Sequence, residues 1–82
     1  MEGKQNMPLK DEISFFDLNE EMTYYEVEIW YEGYCRCKFF RTIASARKYF
    51  NVHARNENDC LKSHVIHEFY GPITYVLYCV GY

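Results

Sequence analysis

The sequence predicts a small α+β domain, an antiparallel β-sheet in ββαββ order with one α-helix packed on one face. Three observations predict it. The chain has 82 residues, which is the size of a single domain. Two pairs of strand-like segments, each joined by a turn that contains glycine, flank one segment with helical spacing. Aromatic residues make up 20% of the chain, which excludes bulk disorder because disordered chains contain few of them.

Residues 1–11 are predicted to form a flexible leader, because Gly3, Pro8 and charges of both signs interrupt any apolar pattern. The single α+β domain then covers residues 12–82. Within it, residues 13–18 are too apolar for a tail, so we expect a short strand or a helical turn that docks on the sheet. No apolar run approaches the roughly 20 residues of a membrane helix, and no signal peptide is visible. We therefore expect a cytoplasmic protein without a membrane partner.

The first two strands are predicted at residues 24–31 and 34–41. In the first of them, β-branched and aromatic residues alternate with a period of two. A two-residue turn that pairs Tyr31 with Tyr34 would turn the cations of the second strand towards the core. Pairing Tyr31 with Cys35, across a three-residue or bulged turn, keeps them outside, so we expect that register.

This register predicts two cross-strand pairs on the face away from the core. Glu28 lies opposite Lys38 in an ion pair, and Trp30 lies opposite Arg36, where the guanidinium can contact the indole ring. The same face is therefore expected to carry both aromatic and charged side chains.

The helix is predicted at residues 43–55. Thr42 is suited to cap its first turn, since the hydroxyl can accept a hydrogen bond from an unpaired backbone N–H. Apolar residues recur every three or four positions on one side of the segment, which indicates an amphipathic helix. They are Ile43, Ala46, Tyr49, Phe50, His53 and Ala54.

The last two strands are predicted at residues 61–70 and 73–80, with a turn at Gly71 and Pro72. The final strand is apolar on both sides, which indicates that both faces of the sheet are covered there. The helix covers one face. The other is expected to be covered by residues 13–18 or by another chain.

Charge is distributed unevenly along a chain whose net charge is −3. Residues 1–32 contain nine acidic and two basic residues, whereas residues 33–82 contain three acidic and seven basic ones. Such asymmetry is typical of an acidic arm or a nucleic-acid surface, or it reflects acidic strands that lie beside basic ones. We favour the last explanation, because acids and bases fall opposite each other in the predicted hairpin and nucleic-acid binders usually carry a positive excess.

Four cysteines and three histidines raise the question of a metal site. Cys35 and Cys37 share a strand face, but His64 and His67 point to opposite faces of a strand, so no metal site is predicted. Without a secretory signal, all four thiols are expected to be reduced. The sequence has no nucleophile, phosphate-loop or zinc-protease motif. We therefore expect neither a cofactor nor enzymatic activity.

The remaining signal is a set of aromatic and charged residues on the predicted open face of the sheet. Aromatic residues and arginine are enriched in protein interfaces and dominate their binding energy. We therefore predict a non-enzymatic module that binds another protein through this set. Its members are Tyr24, Glu28, Trp30, Arg36, Lys38, Phe40, Tyr78 and Tyr82.

Two alternatives stay open for this surface. A homodimer would use the same face. A single-stranded nucleic acid would stack on the sheet aromatics and contact Arg41, Arg47 and Lys48, although acidic residues share that face.

In general character rather than by any motif, the chain is similar to small phage- or mobile-element proteins, among them the anti-CRISPR proteins. It shares their small size, acidity, aromatic content and lack of catalytic motifs. This similarity implies a stoichiometric inhibitor of a host defence protein that acts by steric occlusion.

Overall fold

A computed structural model describes residues 9–19 and 21–81 of the chain. Its elements are β1 (Glu12–Ile13), β2 (Tyr24–Tyr31), β3 (Tyr34–Phe40), α1 (Ile43–His53), β4 (Cys60–His67) and β5 (Gly71–Cys79). A single-turn 3₁₀ helix, Phe15–Asp17, follows β1. The strands form one antiparallel sheet in the order β1-β3-β2-β4-β5, and α1 connects β3 to β4.

The predicted class is confirmed, but the ββαββ order lacks one strand. The additional strand, β1, pairs with β3 at one edge of the sheet, where Glu12 lies opposite Phe40 and Ile13 opposite Phe39. The sequence predicted a short strand or a helical turn at residues 13–18, and the structure has both, β1 and the 3₁₀ helix. A two-residue strand shows no period-two pattern, so the place of β1 in the sheet could not be predicted.

The segment that leads into β1 is tied to the start of the helix. Asp11 Oδ2 accepts hydrogen bonds from Ser45 Oγ at 2.8 Å and from Thr42 Oγ1 at 3.1 Å. Thr42 is the predicted N-cap, and its hydroxyl oxygen accepts from the Ser45 N–H at 3.3 Å. Of the predicted leader, residues 1–8 lie outside the described part of the chain.

The core lies between α1 and the central strands. Its buried residues form one cluster that joins the strands to the helix: Val27, Ile29, Phe40, Ala46, Phe50 and Leu61. On the helix, Ala46 and Phe50 confirm the predicted apolar side. Ile43 does not belong to the core, because it is 38% exposed at the first turn.

The first hairpin has a register one residue away from the predicted one. Tyr31 pairs with Tyr34 rather than with Cys35. The turn between them has two residues, and Gly33 adopts a φ of 86°, a conformation that favours glycine. Because side chains alternate along a strand, a shift of one residue moves every β3 side chain to the opposite face.

Arg36 and Lys38 consequently lie on the helix side of the sheet, opposite Ile29 and Val27. The predicted register avoids this arrangement, because it directs two cations towards the core. The structure accommodates both cations without burying a charge that has no partner. Arg36 remains exposed, and Lys38 Nζ lies 3.0 Å from the Oε2 atom of Glu12, on the strand that the prediction lacked.

The expectation of four reduced thiols is wrong for two of them. Cys60 and Cys79 form a disulfide between β4 and β5, where they lie directly opposite each other with their Cα atoms 4.3 Å apart. Cys35 and Cys37 are free. The sequence could not select this pair, because the pairing depends on the register of two strands.

Replacing both cysteines, Cys60→Ala with Cys79→Ala, is expected to lower the free energy of unfolding by about 3 kcal/mol. The bond spans a sequence separation of 19 and therefore restricts the unfolded chain. Denaturant titration measures the loss, with Cys35→Ala as the control that removes a free thiol. Alkylation of all four cysteines in denaturant without reductant would contradict the disulfide. The same assay on protein taken directly from cells bears on the predicted cytoplasmic location, since cytosolic reductants keep thiols reduced.

Candidate protein-binding surface

The two faces of the sheet differ in what covers them. The helix side packs on α1, whereas the opposite side, which we call the outer face, has only partial cover. At one corner the ring of Phe15 lies 6.2 Å from the ring of Phe39, but Phe15 itself stays 69% exposed. Residues 13–18 thus dock at this corner alone. The outer face carries Tyr24, Glu26, Glu28, Trp30, Cys35, Cys37, Phe39, Cys60, Lys62 and His64.

One ion pair and one hydrogen bond run diagonally between β2 and β4 on the outer face. Lys62 Nζ lies 2.6 Å from Glu28 Oε2, and His64 Nε2 lies 2.6 Å from Glu26 Oε1. The predicted Glu28–Lys38 pair is therefore wrong, because the register shift places Lys38 on the other side. The hydrogen bond to Glu28 raises the pKa of Lys62, which holds its ammonium group charged.

His64 is held at both ring nitrogens and on one face of its ring. Its Nδ1 atom lies 2.9 Å from Thr74 Oγ1, and its Nε2 atom contacts Glu26. The ring of Tyr24 stacks on it with a centroid separation of 4.4 Å. These contacts connect β2, β4 and β5, so this part of the outer face serves to hold the strands together.

One group of potential metal ligands lies beside these two contacts. The ligand atoms of Glu26, Glu28 and Cys37 lie within 4.8 Å of one another. A cation there would compete with Lys62 and His64 for both carboxylates. Burial, together with the neighbouring Glu26, raises the pKa of the Cys37 thiol to about 12, so the thiolate that binds metals or attacks substrates is scarce near neutral pH.

The end of the first hairpin presents a different kind of surface. Trp30, Tyr31 and Tyr34 are each between 41% and 56% exposed, and Arg36 beside them is exposed as well. The rings of Tyr31 and Tyr34 stack with their centroids 5.1 Å apart. Trp30 lies opposite Cys35 and not, as predicted, opposite Arg36. Tyr31, Tyr34 and Arg36 lie on the helix side and Trp30 lies on the outer face, so together they surround the end of the hairpin. We call Trp30, Tyr31, Tyr34 and Arg36 the hairpin-tip patch.

The backbone of this patch is fixed by the loop that follows α1. The Trp30 N–H donates to Asp59 Oδ1 at 2.7 Å, and Asn56 Nδ2 donates to the Trp30 carbonyl at 2.7 Å. Asp59 is fully buried and also accepts from the backbone N–H groups of Arg55 and Asn56. The tryptophan is therefore presented on an ordered backbone.

The predicted contact residues do not form one surface. On the outer face lie Tyr24, Glu28 and Trp30, and on the helix side lie Arg36, Lys38, Phe40 and Tyr78. Phe40 is only 1% exposed and belongs to the core, which corrects its assignment to a binding surface. The cause is again the register shift, which turned this side chain inwards. Tyr82 lies outside the described residues.

The basic residues of the nucleic-acid alternative are also dispersed. Arg47 lines a cleft between α1 and β5, whereas Lys48 lines a cleft on the other side of the helix, next to Leu9. Arg41 follows the end of β3. Trp30 lies across the sheet from α1, so the aromatic and basic residues do not form a common groove.

Two features of the surface escaped the sequence analysis. Asp59 ends a polar loop, and an aspartate in a turn is a common acceptor for nearby backbone N–H groups, which was an available signal. The apolar character of β5 was interpreted as cover on both faces. Instead β5 is an edge strand, and Tyr75, Val76, Leu77 and Tyr78 are each between 43% and 57% exposed.

Protein-family models, curated proteins and solved structures contain no match to this chain. Within the described residues, α1 is too short and too polar to cross a membrane.

Proposed function

We propose that this chain is a non-enzymatic module that binds another protein through the hairpin-tip patch. The observation that carries the proposal is the group of three half-exposed aromatic rings and an exposed arginine on a fixed backbone. Tryptophan, tyrosine and arginine dominate the energetic hot spots of interfaces. Because the backbone is ordered before binding, less conformational entropy is lost when a partner is engaged.

The chemistry of the patch defines the partner that it fits. Trp30 on the outer face and the stacked pair of Tyr31 and Tyr34 on the helix side offer apolar rings with polar edges, which suit an apolar depression that receives the end of the hairpin. Arg36 presents several N–H donors in one plane and suits a carboxylate. We therefore propose a folded protein whose apolar depression is bordered by aspartate or glutamate.

Inhibition by steric occlusion is the consequence that we propose for this binding. When the partner protein binds the patch, the surface that it would use to bind its other ligands is covered. A host defence protein as the target, a phage or mobile element as the origin and a cytoplasmic location belong to the same proposal. They rest on the size, acidity and aromatic content of the chain.

The positions of the basic residues favour a protein over a single-stranded nucleic acid. A nucleic-acid groove combines stacking platforms with cations along one track. Here Arg47 and Lys48 lie on either side of α1, while the Trp30 side chain lies on the outer face of the sheet, away from α1. The raised pKa of Cys37 likewise favours binding over thiol catalysis.

Trp30→Ala and Arg36→Ala are each expected to weaken partner binding at least about tenfold, since hot-spot truncations cost more than about 1.4 kcal/mol. The fold should survive, because both side chains are exposed and the Trp30 backbone keeps its hydrogen bonds. Quantitative mass spectrometry of lysate proteins retained by each immobilised variant measures the effect. Phe16→Ala is the matched control, an aromatic 91% exposed on the 3₁₀ helix.

Retention of one protein by the wild type and Phe16→Ala, with its loss from the two patch variants, is the expected outcome. Equal retention by all four chains, or unfolding of both patch variants, would contradict the proposal. Binding of a single-stranded oligonucleotide that weakens steeply with salt would favour the nucleic-acid alternative instead.

A further inference from the structure

β5 forms one edge of the sheet and is its longest strand, with nine residues. It pairs with β4 on one side, and no strand of the described residues pairs with its other side. An edge strand presents a row of unpaired backbone N–H and C=O groups that can template another strand. Exposed apolar side chains flank this row on both faces of the sheet, with Val76 on the outer face and Tyr75 on the helix side.

The two edges of the sheet differ in their protection. At the other edge, β1 covers only the end of β3, and the uncovered part of β3 carries Arg36 and Lys38. Such charges prevent edge-to-edge pairing. By contrast, no charged residue occurs after Glu68, and the one proline of β5, Pro72, lies near its start. Apart from a β-bulge at Leu77, where the register to β4 shifts, β5 thus lacks the usual protection over most of its length.

We propose that β5 pairs antiparallel with β5 of a second copy of this chain, which joins the two sheets into one. Antiparallel pairing of identical strands is self-complementary, because each residue meets its counterpart across a two-fold axis. A two-fold axis at Val76 places Val76 against itself and Tyr75 against Leu77 of the second copy. Both contacts join side chains on the same face, as an antiparallel pair requires, because Tyr75 and Leu77 both lie on the helix side.

Charge favours a second copy as the occupant. Each chain carries a net charge of −3, so two copies repel unless they meet at a neutral surface. β5 is that surface, since its residues Gly71–Cys79 include no charged side chain. A charged peptide would find no counter-charge on β5. The hairpin-tip patch stays free in such a dimer, because β4 separates β2 from β5.

The dimer is tested by measuring the mass of the particle in solution, with native mass spectrometry and sedimentation, for a matched pair of variants. Val76 and Val52 are both 55% exposed, but Val52 lies on α1, away from the edge. The wild type and Val52→Lys are expected at twice the 10.0 kDa mass of one chain. Val76→Lys is expected to be monomeric, with a dissociation constant raised at least about tenfold by two lysines facing each other across the axis.

A monomeric wild type over the whole concentration range, or a Val76→Lys dimer as stable as the wild type, would overturn the proposal. If the wild type is monomeric, the unpaired edge of β5 would instead be available to an extended segment of another protein. Hydrogen exchange of the unmodified chain is a second test, and the amides of β5 should exchange more slowly at high concentration than at low. Trp30→Ala should remain dimeric, so failure of the dimer and failure of partner binding through the patch are distinguishable.

Discussion

Asp59→Ala should lower the free energy of unfolding by about 4 kcal/mol, since it leaves three partly buried backbone donors without an acceptor, at roughly 1–3 kcal/mol each. The carboxylate accepts from the backbone N–H groups of Trp30, Arg55 and Asn56 at 2.7, 2.8 and 2.9 Å. It joins β2, the end of α1 and the start of β4, and none of its surface is exposed. Chemical denaturation monitored by circular dichroism measures the loss.

Asp59→Asn separates the loss of hydrogen bonds from the loss of volume. Its single carbonyl oxygen can replace Oδ2 and accept from Arg55 and Asn56, but its NH₂ group then faces the Trp30 N–H, and two donors oppose each other. We expect a loss of about 2 kcal/mol, from one unpaired N–H and one unpaired amide group. Asp17→Asn is the control, on an exposed side chain of the 3₁₀ helix, and should change stability little. An unchanged stability of Asp59→Ala would contradict this account of the loop.

The contribution of Asp59 should depend on pH in the acid range. Burial alone would raise its pKa, but hydrogen bonds from Arg55, Asn56 and Trp30 outweigh burial, and the pKa lies below the ordinary value of 3.8. The unfolded chain therefore takes up the proton first, and the stabilisation is complete above the ordinary pKa and lost as the pH falls through the folded one. The stability difference between wild type and Asp59→Asn should be constant above about pH 5 and shrink below pH 4. A difference that stays constant into strong acid would contradict the lowered pKa.

Phe40→Ala should lower the free energy of unfolding by about 3–5 kcal/mol, the usual cost of truncating a buried phenylalanine. The side chain is 1% exposed in the main core cluster, and its ring lies 5.6 Å from that of Tyr49. A domain of this size has only a few kcal/mol of stability to lose, so the variant should be largely unfolded at 37 °C. Thermal unfolding measures the effect.

A matched control distinguishes core from surface phenylalanines. Phe69 is 80% exposed in the turn between β4 and β5, so Phe69→Ala should change stability by less than about 0.5 kcal/mol. A folded Phe40→Ala chain with reduced partner binding would contradict the core position and support the surface role that the sequence predicted. This pair of variants therefore tests the hairpin register through its consequence for a single ring.

Local signals predicted most of the elements. Period-two alternation placed β2 at its observed limits, and helical spacing with the Thr42 cap placed the start of α1. The predicted helix extends two residues too far, because the backbone N–H groups of Arg55 and Asn56 turn to Asp59 rather than to the helix. That competition involves a residue beyond the helix and is invisible in its own periodicity.

Features that depend on distant residues could not be predicted. The register of the first hairpin was inferred from the rule that cations avoid a core face, but Glu12 on β1 satisfies Lys38 from outside the hairpin. One wrong register then misplaced Phe40, Arg36 and Lys38 together. The Cys60–Cys79 bond and the Glu28–Lys62 pair similarly require the pairing of β4 with its neighbours. Of the predicted contact set, Trp30 and Arg36 are both exposed near the end of the first hairpin, but they lie on opposite faces of the sheet.

The most direct test of protein binding through the hairpin-tip patch is oxidative footprinting of the wild-type chain, free and in complex with the protein that it retains from lysate. Trp30, Tyr31 and Tyr34 should be protected in the complex, because a partner seated on the patch excludes solvent from their rings. Phe16 and Phe69, which are 91% and 80% exposed elsewhere on the molecule, should stay as reactive as in the free chain. Undiminished oxidation of Trp30 in the complex would contradict binding through this patch.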